Sequence, residues 1–192
     1  MKTESKILSG FTLIELLVAM AIIALLATVV LSNFNQGNRS RATALAADVV
    51  SNSFRTAQND ALNPQSFPGF SCSSGKVPAE YHLYFDSNTP TYYTLNAVDK
   101  CGDAPVLLQR FTLANNVVIK KNNGLAVDST GVGSDGGTIE LKFLPPFSQV
   151  TASFNGGDYE EFNSAEVILE SSDGSSSRTI TFDGVSGRVD IK

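Results

Sequence analysis

The residue whose position demands most of chemistry is Glu15. It stands in the stretch Ser9-Gly10-Phe11-Thr12-Leu13-Ile14-Glu15, after which every residue from Leu16 to Leu31 except Thr28 is apolar. Counted from Phe11 the run is 21 residues long, about 32 Å of helix and enough to cross a bilayer. Glu15 then sits at membrane depth. A carboxylate without a partner there is costly, so it marks a function and requires an opposite charge, most directly one on another chain.

The order of segments around it is not that of a secretory signal, in which a cleavage site follows the apolar stretch. Here the basic start (Lys2, Lys6) and the small pair Ser9-Gly10 both precede the apolar run. A cut after Gly10 removes a ten-residue hydrophilic leader and leaves the apolar helix at the new terminus, the α-amine of Phe11. Gly10, Phe11, Thr12, Leu13, Ile14 and Glu15, with the apolar continuation to Leu31, resemble the class III signal of type IV pilins and type II secretion pseudopilins. The resemblance implies that a prepilin peptidase cuts between Gly10 and Phe11 and methylates Phe11, and that Glu15 pairs with the terminal amine of a neighbouring subunit. Phe11 and Glu15 are four apart on one helix face, so a helix shifted by about a turn brings its amine to the neighbour's carboxylate. Burying two opposite charges together costs less than burying either alone. An ordinary single-span anchor would leave Glu15 unexplained.

The remaining candidates carry less. Cys72 and Cys101 lie beyond the membrane helix, hence in an exported, oxidising compartment, where an even pair favours a disulfide; two buried free thiols are the alternative. The lone His82 sits in an alternating strand pattern far from any zinc spacing and reads as structural, not as the base of a triad. Gly131-Val132-Gly133-Ser134-Asp135-Gly136 matches GxGxxG by letter, but a strand follows it where a nucleotide fold needs a helix, so it reads as a β–β loop. Asp158, Glu160 and Glu161 could attract calcium but read as a solvated acidic turn. Tyr81, Tyr84, Tyr92 and Tyr93 fit cross-strand packing, with an adhesive face as the minority reading. No cofactor and no metal is expected.

The elements that must position these residues fall into three segments: a leader (1–10), a long helix (11–63) whose part 11–31 spans the membrane and serves assembly, and a β-rich head (64–192). After Leu31, Ala42, Leu45, Val49, Phe54, Ala57 and Ala61 recur at helical spacing until Pro64 ends the helix. Between them Ser32 to Asn38 holds three Asn and Gly37, poor helix formers, so a bend or local melting is expected there. Many pilins carry a proline near this level; this chain has none before Pro64. Alternating runs at 80–86, 91–98, 106–113, 117–121, 138–144, 150–154, 165–171, 178–182 and 187–191, separated by Gly, Asn and Pro turns, predict antiparallel β. The expected fold class is α+β, a long N-terminal helix packed on an antiparallel sheet.

The formal charge is −5, and without the leader 12 basic face 18 acidic residues, a balance that argues against broad nucleic-acid binding. The ending from Ile180 to Val189, with Phe182-Asp183 and later Gly187-Arg188, is similar to that of H-type minor pseudopilins and related minor pilins. The function expected is a non-enzymatic subunit of a type IV pilus-like filament, either a minor pseudopilin of type II secretion or a type IV pilin. It would wait as a single-pass protein of the inner membrane with its head outside the cytoplasm. The resemblance implies a prepilin peptidase, other pilin subunits, a membrane platform and a cytoplasmic motor ATPase as partners. The alternative is an anchored head that captures DNA or a surface ligand, with Arg178, Arg188 and Lys192 available for phosphate.

Overall fold

A computed structural model describes residues 12–66, 70, 77–101, 104–114, 116–121, 123–128, 130–131, 137–146 and 149–192. The chain divides into two compact units, residues 1–38 and 39–192. One helix, α1 (Leu13–Leu62), runs through the boundary.

Within the first unit the part of α1 from Leu16 to Leu31 is apolar on every side, and Leu17, Ile22, Leu26 and Val30 are all exposed. A helix apolar all round has no polar face to give to water, the pattern of a membrane span. The expected interruption at 32–38 does not melt the helix, which is helical throughout that stretch. Each of those residues keeps its backbone N–H, so the Asn residues and Gly37 weaken helix propensity, by about 1 kcal/mol for the glycine, without removing a hydrogen bond as a proline would.

In the second unit the same helix becomes amphipathic. Ala46, Ala47, Val50, Phe54, Ala57 and Ala61 form its buried stripe. Small residues at most of these positions let sheets approach closely, and Phe54 supplies the volume between them. Asn63 makes the last helical bond, to the Asn59 carbonyl (2.9 Å), just before Pro64.

Among the described residues the strands form two antiparallel sheets. The five-stranded sheet has the order β3 (Val106–Thr112), β2 (Tyr92–Val98), β1 (Glu80–Asp86), β7 (Thr138–Leu144), β8 (Gln149–Phe154). The second has the order β11 (Val189–Ile191), β10 (Ser177–Asp183), β9 (Ser164–Ser171), β5 (Leu125–Val127), β6 (Thr130–Gly131), and β4 (Val117–Ile119) also pairs with β9. β4 and β5 lie end to end along one edge of β9: the Lys120 N–H donates to the Ile168 carbonyl (2.9 Å) and the Ile168 N–H to the Gly124 carbonyl (2.7 Å). A Cβ at Gly124 would stand 1.8 Å from the Lys120 carbonyl oxygen, so only glycine closes that excursion.

The core faces of both sheets meet the helix at Phe54. Its ring stacks on Phe182 of β10 at 4.9 Å and on Phe85 of β1 at 5.8 Å, and the row continues through Tyr93 to Phe111 at 4.9 Å steps. Nine strands lie close to the expected runs; β5 and β6, three and two residues long, had no signal, and the single expected sheet is two.

Candidate functional site

Gly10 and Phe11, the residues expected to flank the cut, lie outside the described residues. Thr12 and Glu15 form a reciprocal cap at the start of α1. The Thr12 N–H donates to Glu15 Oε2 at 3.0 Å and the Thr12 hydroxyl to the same oxygen at 2.9 Å, while the Glu15 N–H points back to Thr12 Oγ1 at 3.4 Å. A carboxylate three residues past a threonine is the capping-box arrangement, and a negative charge in the first turn also complements the helix dipole. Sequence reasoning treated Glu15 only as a group awaiting a partner, although the Thr-x-x-Glu spacing before an apolar run was legible. The carboxylate lies beside a shallow apolar concavity shaped by Ile14, Val18, Ala19 and Ile22. Among the described residues its partner is Thr12, and its surround is apolar.

The second unit separates groups that the sequence suggested together. The four tyrosines divide by strand alternation: Tyr81 and Tyr93 are buried in the core, and Tyr84 and Tyr92 are on the opposite face of the five-stranded sheet. Burial pushes the Tyr93 phenol up to about 12. The Arg110 guanidinium lies 4.6 Å from the Tyr92 ring centre. The three basic residues near the end are likewise divided. Arg178 pairs with buried Leu169, whereas Lys192 pairs with Thr179 and Arg188 bonds Asp190 at 2.8 Å, which places Arg178 on the opposite face from the other two.

His82 is buried, in contrast to the other outward residues of β1. Its Nδ1 lies 2.7 Å from Glu140 on β7 and its Nε2 2.9 Å from Glu80, and the Tyr159 ring packs edge-on against it. Burial alone would lower the imidazole pKa, but the hydrogen bonds to Glu140 and Glu80 outweigh it and hold the group above its ordinary value. Among the described residues no set of three His, Cys, Asp or Glu side chains is disposed to hold a metal ion.

Asp158, Glu160 and Glu161 lie on the connection from β8 to β9, where Glu160 bridges Ala152 and Glu161 accepts from Gln149 at 3.2 Å. The connection borders, through Glu161, Phe162 and Asn163, a cavity of about 590 Å³ whose other walls come from Gln58 of α1, Gln149 and Val150 of β8 and the turn Gly184 to Gly187. That turn is the motif Phe182-Asp183…Gly187-Arg188 of the sequence. Phe182 enters the core, Asp183 Oδ1 accepts from the N–H groups of Val185 and Ser186, and the Gly187 carbonyl accepts from Gln58 at 3.0 Å. Bonds to Ser186 lead in holding the Asp183 carboxyl below its usual range. At the β9–β10 turn Asp173 accepts from Ser171 and Ser175, which lowers its pKa to about 2, and is ion-paired with Arg39. Cys101 is exposed, with its N–H donated to Asp99 at 2.9 Å; Cys72, and Val132 to Gly136 of the glycine-rich stretch, lie outside the described residues.

Residues 9–31 match the family model of the prokaryotic N-terminal methylation motif. No curated protein and no solved structure matches the chain.

Proposed function

We propose that this chain, a type IV pilin-like subunit processed by prepilin peptidase as its N-terminal methylation motif indicates, is a non-enzymatic subunit of a pilus or type II secretion pseudopilus. The observation that carries the proposal is Glu15 at the head of a helix apolar on all sides, inside that motif. Removal of residues 1–10 exposes an amine at Phe11, one helical turn before Glu15. The processed chain waits in the inner membrane by its apolar helix, with the head on the far side from the cytoplasm. Thr12 satisfies one carboxylate oxygen meanwhile. In the filament the amine of Phe11 from a neighbouring subunit takes the other, and this pairing sets the register of the helices. Extraction from the membrane requires work, so a motor ATPase and a membrane platform are implied partners. A DNA-binding role ranks below this one, because Arg178 is turned away from Arg188 and Lys192 and Arg188 is already paired.

Mass spectrometry of the chain from membranes and from sheared filaments tests the reading. The expected N-terminus is a methylated Phe11, and Glu15→Ala should reach the membrane fraction at wild-type level while failing to enter filaments. A mature chain with its leader intact, or normal incorporation of Glu15→Ala, would overturn it.

A further inference from the structure

The cluster around His82 is larger than a structural histidine requires. From β1 come Glu80 and Tyr84, from β7 Glu140 and Lys142, and from the β8–β9 connection Tyr159, flanked by Asp158 and Glu160; β2 contributes Asn96, the neutral cross-strand partner of His82. Lys142 Nζ is 3.5 Å from Glu80 and lies 4.1 Å from the Tyr159 ring centre, and Tyr159 Oη is 3.3 Å from His82 Nδ1, where it also bonds the Glu140 carboxylate. Both ring nitrogens of His82 face carboxylate oxygens. Only the imidazolium can donate from both; the neutral ring must turn a lone pair toward one carboxylate. With His82 protonated, the imidazolium and Lys142 balance the directly bonded carboxylates Glu80 and Glu140, whereas loss of one proton leaves an uncompensated negative charge on two half-buried carboxylates.

We propose that His82 in its doubly protonated form is a clasp that fastens Tyr159, and with it residues 158–161, onto the outer face of the five-stranded sheet, and that release of the proton to solvent loosens this short stretch beside the cavity. The connection is anchored at both ends, by Asn155 on Thr138 and the Ser153 hydroxyl on the Gly157 carbonyl (2.6 Å) before Tyr159, and by buried Phe162 and the Asn163 N–H on Asp128 (2.6 Å) after it; between these anchors residues 158–161 are held by the clasp, the bridge of Glu160 with Ala152 and the bond of Gln149 to Glu161. Because Glu161 also walls the cavity of about 590 Å³, the state of the clasp bears on that side of its mouth. Clasping holds the proton more tightly than a free imidazole does, so its contribution is complete below the ordinary value of 6.5 and is lost as pH rises above it.

His82 is the single histidine of the chain, so its ring signals need no assignment when the protein is purified without a histidine tag. The experiment follows ring-labelled histidine by NMR, and amide exchange of residues 158–161 corrected for intrinsic rates, in the full chain in detergent between pH 5.5 and 9. The imidazole should titrate above its ordinary value, and protection of the segment should fall over the same range, tenfold for each pKa unit between clasped and free rings. In His82→Gln the protection should be lower at pH 6 and independent of pH, with amides of β9 and β10 unchanged. Tyr159→Phe keeps the histidine but cuts the hydroxyl tie, and should weaken the pH dependence. Protection that stays flat across the wild-type titration, or that falls equally in His82→Gln, overturns the proposal.

Discussion

Replacing Phe54 by alanine tests whether one side chain joins helix and both sheets. The ring is almost wholly buried, at 1% exposure, and stacks on Phe182 and Phe85 from different sheets. Truncation removes its burial and both stacks and leaves a cavity walled by rigid strands, so the cost belongs near the upper end of the usual range, about 3–5 kcal/mol. For a unit the size of residues 39–192, a shift of about 2–4 °C per kcal/mol predicts a midpoint lowered by about 6–20 °C. The chain has no tryptophan, and all five of its tyrosines lie in this unit, so near-ultraviolet circular dichroism of the full chain in detergent reports on the head alone. Phe34→Ala is the control: that ring is 65% exposed on the same helix and should leave the midpoint unmoved. A Phe54→Ala midpoint within about 3 °C of wild type, on the same scale, would refute the joint.

Cys72 and Cys101 should be linked in the exported protein, and reduction should destabilise the head by about 2–4 kcal/mol; two free thiols per chain under denaturing, non-reducing labelling would refute the pair. Gly184→Ala puts a Cβ 2.2 Å from the Phe162 carbonyl oxygen, and the forced backbone shift should cost about 1–3 kcal/mol, read as a lower unfolding midpoint. The head should bind DNA poorly, since 12 basic residues face 18 acidic ones in the processed chain. Tight, salt-sensitive gel shifts abolished by neutralising Arg178, Arg188 and Lys192 would instead favour an uptake receptor.

What was legible in the sequence follows from the range over which each signal acts. The apolar run, the Thr-x-x-Glu cap and the alternation in β1, β2, β7 and β9 are local patterns, and each of those elements appears. Alternation says which residues share a face but not which strands share a sheet, so one sheet was expected where two exist. His82 shows the same limit. Glu80, two residues earlier on the same face, could have been named as its partner from strand geometry. Glu140, 58 residues away, and Tyr159 on a connection come to it only through the pairing of β1 with β7 and the path of the chain after β8. At 32–38 propensity pointed to a break, but every backbone donor there remains available, and the helix persists.

The excursion between β4 and β5 makes the head tolerant of added chain at one place. Lys120 and Gly124 are both tied to Ile168, so the two ends of this short loop are pinned to a single residue of β9. A foreign epitope inserted after Lys121 lengthens only the loop, leaves the pairing of β9 with its neighbours in register, and adds closure entropy of about 0.6 kcal/mol per doubling of length. This position can therefore carry a label or antigen outward without entering the core.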